Sequence, residues 1–187
     1  APSVTLTTSD TSIAENAGSS LTLTATIGNA TYEDVTVSID GTGGTGTEGT
    51  DFGTVSDITI SAGSTTGTAS FTPTDDSIYD ATSNETAGIS VSAVSGGGAS
   101  ENGTQAVTIT ITDNESAPTL TLSVSASSIA ENAGTSLTVT ATLSNGTYQD
   151  VTAALGTSGT ATEGTDYTDG SGNLDDITIS AGSTTGT

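Results

Sequence analysis

Apolar and polar residues alternate with a period of two along most of this 187-residue chain. Aliphatic residues, alanine or phenylalanine take every second position, with threonine or serine commonly between them, in runs 21–27, 35–39, 58–60, 69–71, 89–93 and 107–111. Such alternation is typical of strands with one buried face, and β-branched threonine suits the exposed face. The Gly-, Ser- and Asp-rich segments 40–47 and 95–98 predict turns. About seven short strands without helical periodicity predict an all-β, antiparallel β-sandwich of the immunoglobulin-like kind.

A long internal repeat divides the chain. The heptapeptide SIAENAG occupies residues 12–18 and recurs at 128–134, an offset of 116 residues. The segment DITISAGSTTGT occupies residues 57–68 and recurs at 176–187. We therefore predict two tandem sandwich repeats, residues 1–116 and 117–187.

The second repeat lacks a counterpart of residues 69–116. An incomplete sandwich leaves core-facing strands uncovered and an edge open, so we expect the chain to continue or a neighbouring chain to complete it. The first repeat has no spare donor strand, which favours continuation.

Composition restricts the function. The chain has 22 acidic residues, no Lys, Arg or His, and a net charge of −22. Nucleic acid and anionic membrane surfaces are therefore excluded as partners, because nothing can neutralise their phosphates. No apolar run of about 18 residues predicts membrane insertion. The chain begins without a charged and apolar leader, so we expect any export signal to be removed or to lie outside this sequence.

The absence of His and Cys removes zinc, copper and iron–sulfur chemistry and leaves oxygen ligands, which suit hard cations. Eight acids of the first repeat lie in loops at strand ends: Glu15, Asp51, Asp75, Asp76, Asp80, Glu85, Asp113 and Glu115. Loop acids are usually only solvated. However, four of these fall within residues 75–85, where like charges raise each other's pKa unless a cation intervenes. With no Lys or Arg, that cation must come from solvent, and calcium accepts such ligands.

Five motifs carry a family resemblance: IAENAG at 13–18, ISAG at 60–63, DDSIYD at 75–80, VTITITDNE at 107–115 and GTATEGTDY at 159–167. Together they resemble the Calx-beta repeat, found in the calcium-binding regulatory region of sodium/calcium exchangers and in large extracellular adhesins. The resemblance implies that the eight loop acids gather at one end of the sandwich as a calcium site. It also implies that Glu131 and Asp166 occupy the matching places in the second repeat.

The acidic motifs depart from the family pattern. The usual acidic triplet reads DDS at 75–77, the exit triplet reads DNE at 113–115, and Glu85 follows extra residues. Fewer charges imply weaker sites or fewer ions, and the second repeat should bind calcium poorly by itself. Because the exit acids directly precede residues 117–118, bound calcium would stiffen the joint between repeats.

These features favour a non-enzymatic protein, since catalysis would rest on Asp, Glu or Tyr without His, Lys or Cys. We predict a structural or adhesive extracellular array, such as a surface stalk, filament or matrix fibre, which is rigidified by calcium and self-associates. The alternative is a calcium-sensing regulatory module coupled to another domain. Many near-identical repeats in the full-length chain would favour the array, whereas two repeats with transmembrane spans would favour the sensor.

Overall fold

The computed structural model describes residues 1–80, 84–168 and 174–187, and every regular element within them is a β-strand. The described residues form two compact units. The first contains residues 1–76 and 84–114, and the second contains residues 77–80, 115–168 and 174–187. The repeat boundary at residue 116 stays a prediction.

The alternating runs of the first repeat all lie in strands. In chain order the strands up to Thr112 are β1 (Ser3–Thr8), β2 (Ser12–Ala14), β3 (Leu21–Ile27), β4 (Val35–Gly44), β5 (Ile58–Ile60), β6 (Thr66–Phe71), β7 (Ile78–Tyr79), β8 (Glu85–Ser95), β9 (Ser100–Glu101) and β10 (Ala106–Thr112). Of these, β7 belongs to the second unit. The others form two sheets, with strand orders β6-β3-β1-β9 and β2-β10-β8-β4-β5.

One apolar core joins the two sheets of the first unit. The inward residues of β1, β3, β4, β5, β8 and β10 are buried together with Phe52 and Phe71, whose ring centroids are 5.0 Å apart. The predicted β-sandwich is therefore confirmed. Two short pairs within it are parallel, because β9 pairs with β1 and β2 pairs with β10 in the same direction. The chain crosses to the other sheet after β1, so β2 reaches β10 in the same direction.

The turn expected at residues 40–47 begins later than predicted, because β4 continues to Gly44. Irregular pairing with β8 interrupts the ladder between Ser38 and Ile39 and between Asp40 and Gly43. A Cβ on Gly88 would lie 2.8 Å from the carbonyl carbon of Gly43. Glycine therefore permits the close approach of the two backbones, and its frequency here reflects strand packing as well as a turn.

We expect Gly44→Ala to lower the free energy of unfolding of the first unit by about 1–3 kcal/mol. Gly44 has φ +95°, and an added Cβ would lie 2.1 Å from the Thr86 carbonyl oxygen. Urea unfolding would measure this loss. The control is Gly28→Ala, since a Cβ there meets nothing within 4 Å. Equal unfolding midpoints for the two variants would contradict the strain argument.

The second unit has a smaller core. Its further strands are β11 (Leu120–Val124), β12 (Val139–Leu143), β13 (Gly146–Thr147), β14 (Val151–Ala153), β15 (Ile177–Ile179) and β16 (Thr185–Gly186). Their pairing orders are β11-β12-β16 and β14-β15, and β13 pairs in parallel with β7. The core comprises Ala141, Leu143, Ala153, Ile177 and Ile179.

Candidate metal centre

In the first unit, Glu15 lies directly after β2 and beside the end of β10. The parallel pair of β2 and β10 continues one residue further, where the Glu15 N–H donates to the Thr112 carbonyl oxygen at 3.1 Å. The Glu15 Oε1 atom accepts the backbone N–H of Asn114 at 3.1 Å. Strand pairing therefore positions this half-buried carboxylate on the segment that leaves β10.

Asp75 lies in the loop that follows Phe71 at the end of β6, and this loop brings it close to Glu15. The Thr74 N–H donates to the Asp51 carbonyl oxygen at 2.9 Å, which fixes the chain just before Asp75. Glu15 and Asp75 each offer a carboxylate oxygen, and the two oxygens lie within 4.8 Å of one another. They line an open cleft of about 270 Å³ together with Asn16, Gly18, Ser19, Ser20, Thr72 and Pro73.

Asp51 and Glu85 form a second pair of neighbouring acids in the first unit. Asp51 closes a tight turn, because its Oδ2 atom accepts the Thr47 N–H at 2.6 Å. A Cβ built on Gly46 would lie 3.7 Å from the Asp51 Cβ and 3.6 Å from the Glu85 Oε2 atom. These two predicted ligands therefore both flank Gly46.

The other predicted ligands have different surroundings. Asp76 is exposed in the first unit, and Asp113 is half-buried directly after β10. Asp80 is half-buried after β7 in the second unit, and Glu115 is the half-buried first residue of its main segment. In the second repeat, Glu131 and Asp166 are both exposed, and the Asp166 Oδ2 atom accepts the Thr162 N–H at 2.6 Å. A single gathering of all eight first-repeat acids stays a prediction.

Several acids that sequence reasoning passed over have structural roles. Asp34 accepts the Ala62 N–H at 2.8 Å, and its counterpart Asp150 accepts the Ala181 N–H at 2.8 Å. Asp57 likewise accepts the Ile39 N–H at 3.0 Å, next to the irregularity in β4. The recurrence of these acids in both repeats was the available signal. Part of the acidic composition therefore satisfies backbone groups in loops, as loop carboxylates commonly do.

Glu48 and Asp40 add two more cases of this kind. The Glu48 Oε1 atom accepts the Val55 N–H at 2.8 Å. Side-chain and backbone hydrogen bonds from Thr42 lower the pKa of Asp40, because they favour the ionised carboxylate. Both carboxylates therefore accept hydrogen bonds from residues that are close to them in the sequence.

A comparison with protein-family models shows the family of this chain. The model of the Calx-beta domain matches residues 1–115 and again residues 113–176. The chain belongs to the Calx-beta domain family. Calx-beta domains are β-sandwich modules of a calcium-binding type, they occur in extracellular regions of proteins, and the family is non-catalytic.

The other comparisons are more distant. No curated protein matches this Calx-beta chain in sequence. Among solved structures, it is similar to a two-domain protein of unknown function from Bacteroides fragilis NCTC 9343, with a TM-score of 0.43 and 8% identity. That match covers 81% of this chain and 68% of the other. In the described residues, no helix is long and apolar enough to cross a membrane.

The donor chemistry of the Glu15–Asp75 pair fits the cation that a Calx-beta domain binds. Calcium holds its oxygen ligands at about 2.3–2.6 Å, so two of them lie up to about 5 Å apart. A separation within 4.8 Å is compatible with one shared ion. The chain has no Lys or Arg to offset the two carboxylates.

Proposed function

We propose that this chain is a calcium-binding segment of an extracellular structural or adhesive array, such as a surface stalk, filament or matrix fibre. The observation that supports the proposal is the pair of carboxylates, Glu15 and Asp75, which converge in one cleft of the first unit. Bound calcium would join the loop after β2 to the loop after β6. Because it binds only the folded state, it would stabilise the array.

The proposed ligand set extends from this pair. Glu115 directly follows Asn114, whose N–H donates to the Glu15 carboxylate, and we propose Glu115 as a third ligand. The remaining acids of the first repeat are proposed as further ligands: Asp51, Asp76, Asp80, Glu85 and Asp113. Glu131 and Asp166 would contribute only weak binding, since this sequence contains no second-repeat counterpart of the acids at 75–85 and 113–115.

The charge of the chain gives calcium a second role in the array. A net charge of −22 makes neighbouring chains repel one another, and divalent cations reduce that repulsion. Calcium would therefore promote self-association as well as stiffening each repeat. The absence of Lys and Arg also removes the cleavage sites of trypsin-like proteases, which suits an exposed fibre.

Thermal unfolding of the 187-residue chain in calcium, in magnesium and in chelator tests the metal site. We expect a calcium-specific rise in the midpoint of the first unit by several degrees, since about 100-fold excess over Kd contributes about 2.7 kcal/mol. Asp75→Asn should remove most of this rise, because it deletes one charged ligand from the cleft.

The matched control is Glu33→Gln, which also removes one charge but from an exposed loop between β3 and β4. It should retain the calcium response of the unchanged protein. An equal response to magnesium, or an unchanged response in Asp75→Asn, would mean that Glu15 and Asp75 are only solvated. Sedimentation with and without calcium would then test self-association separately.

A further inference from the structure

The tripeptide Asn-Gly-Thr occurs twice in the chain, at residues 102–104 and at residues 145–147. In an Asn-Gly pair the asparagine side chain is open to attack by the backbone nitrogen that follows it, because glycine has no Cβ to hinder the approach. The two copies have the same sequence but different surroundings. A difference in their reactivity would therefore report the fold.

The first copy lies in an open bend between β9 and β10. Asn102, Gly103 and Thr104 are all exposed, and Gly103 has φ +65°. A Cβ built on Gly103 would meet nothing within 4 Å, so the bend has room to change conformation. Among the residues that the structure describes, neither the Asn102 side-chain amide nor the Gly103 N–H has a hydrogen-bond partner. No such contact holds the two reacting groups apart.

The second copy is held in place by its neighbours. The Asn145 Nδ2 atom donates to the Ser116 carbonyl oxygen at 3.2 Å, and the Asn145 Oδ1 atom accepts the Ser144 hydroxyl at 3.0 Å. Gly146 is buried in β13. A Cβ on Gly146 would lie 3.3 Å from the Gly182 carbonyl oxygen, so this backbone has little room to turn toward the Asn145 side chain.

We propose that Asn102 is a site of spontaneous deamidation and isoaspartate formation, and that the fold protects the identical tripeptide at 145–147. The Gly103 backbone nitrogen loses its proton and attacks the Asn102 Cγ atom, and the side-chain NH₂ group takes up a proton and leaves as ammonia. Water then opens the cyclic succinimide at either carbonyl carbon. Opening at Cγ gives aspartate, and opening at the main-chain carbonyl gives isoaspartate. In both products a carboxylate replaces a neutral amide.

Isoaspartate at residue 102 would change the edge of the first sheet. The Asn102 N–H donates to the Val4 carbonyl oxygen at 3.0 Å, and the Asn102 carbonyl oxygen accepts the Gln105 Nε2 group at 2.5 Å. The Gln105 Oε1 atom in turn accepts the Leu6 N–H at 3.2 Å. In isoaspartate the main chain runs through Cβ and Cγ, so the group that Gln105 contacts is displaced. We therefore expect the modification to release Gln105 from Leu6 and to loosen the pairing of β1 with β9.

The test is peptide mapping by mass spectrometry of the full 187-residue chain after incubation at neutral pH and physiological temperature. Because the chain lacks Lys and Arg, the digestion uses a protease that cleaves after glutamate. We expect conversion at Asn102 to be roughly tenfold faster than at Asn145 or more, since the unrestrained side chain reaches the attack geometry more often. In urea, where both copies are unfolded, the two rates should come within about twofold of each other.

Hydrogen exchange tests the structural consequence. Protein that has formed isoaspartate should exchange the Leu6 amide faster than fresh protein. Fresh Asn102→Asp is the matched control, because it carries the same new charge on an unaltered main chain and should exchange Leu6 as the unchanged protein does. The proposal is overturned by absent conversion at Asn102, by equal conversion at Asn102 and Asn145 in the folded chain, by a difference that persists in urea, or by Leu6 exchange that isoaspartate leaves unchanged. No proposed calcium ligand takes part, so these outcomes do not depend on the metal site.

Discussion

Replacing Phe52 with alanine is expected to lower the free energy of unfolding of the first unit by about 3–5 kcal/mol. Phe52 is 0% exposed and packs against Phe71, which is also fully buried, at a ring separation of 5.0 Å. The chain has only two phenylalanines and no tryptophan, so most of the large core residues are aliphatic. Loss of one ring would leave a cavity that these smaller side chains cannot fill.

Urea unfolding followed by far-ultraviolet circular dichroism would measure this loss. Tyr32→Ala is the control, because it removes an aromatic ring that is entirely exposed in the loop between β3 and β4. It should change the free energy of unfolding by no more than about 0.5 kcal/mol. A cost below about 1 kcal/mol for Phe52→Ala would contradict the description of the core.

Two isoleucines in identical sequence should respond very differently to truncation. Ile13 and Ile129 both lie within the heptapeptide SIAENAG. Ile13→Ala is expected to cost about 2–5 kcal/mol, since the side chain is buried against the core beside β10. Ile129→Ala is expected to cost no more than about 0.5 kcal/mol, because the side chain is exposed.

Hydrogen exchange can separate the two units in this comparison. Amides of β3 report the first unit and amides of β12 report the second. Ile13→Ala should accelerate exchange in β3, whereas Ile129→Ala should leave exchange in β12 unchanged. Similar costs for the two variants would show that the local motif, and not its burial, sets the contribution to stability.

Most strands of the first unit could be predicted because one face of each strand is buried. Alternation with a period of two located β3, β5 and β10, and it located the first half of β4, the end of β6 and the centre of β8. The short strands β2, β7 and β9 were missed, because none of them has two apolar residues separated by a polar one. The parallel pairs were also missed, since the direction of pairing depends on where the chain crosses between sheets.

The candidate site was predictable in residue type but only partly in arrangement. Acids at strand ends, together with the missing cations, indicated hard-cation chemistry. The sequence could not separate Glu15 and Asp75, which converge, from Asp34 and Asp57, which satisfy backbone N–H groups. All four are acids in loops, so only the positions of neighbouring strands distinguish the candidate ligands from acids that accept hydrogen bonds from loop backbone.

The sequence by itself determined the all-β class, the duplication, and a chemistry limited to oxygen donors. Each of these follows from the residue composition or from the periodicity of the sequence. Neither depends on which residues become neighbours in the folded chain. Only the tertiary structure decided which copy of a repeated residue is buried, as Ile13 and Ile129 show. Burial depends on strands distant in the sequence, here β8 and β10, and the same seven residues therefore lie in a closed core in one unit and on an open face in the other.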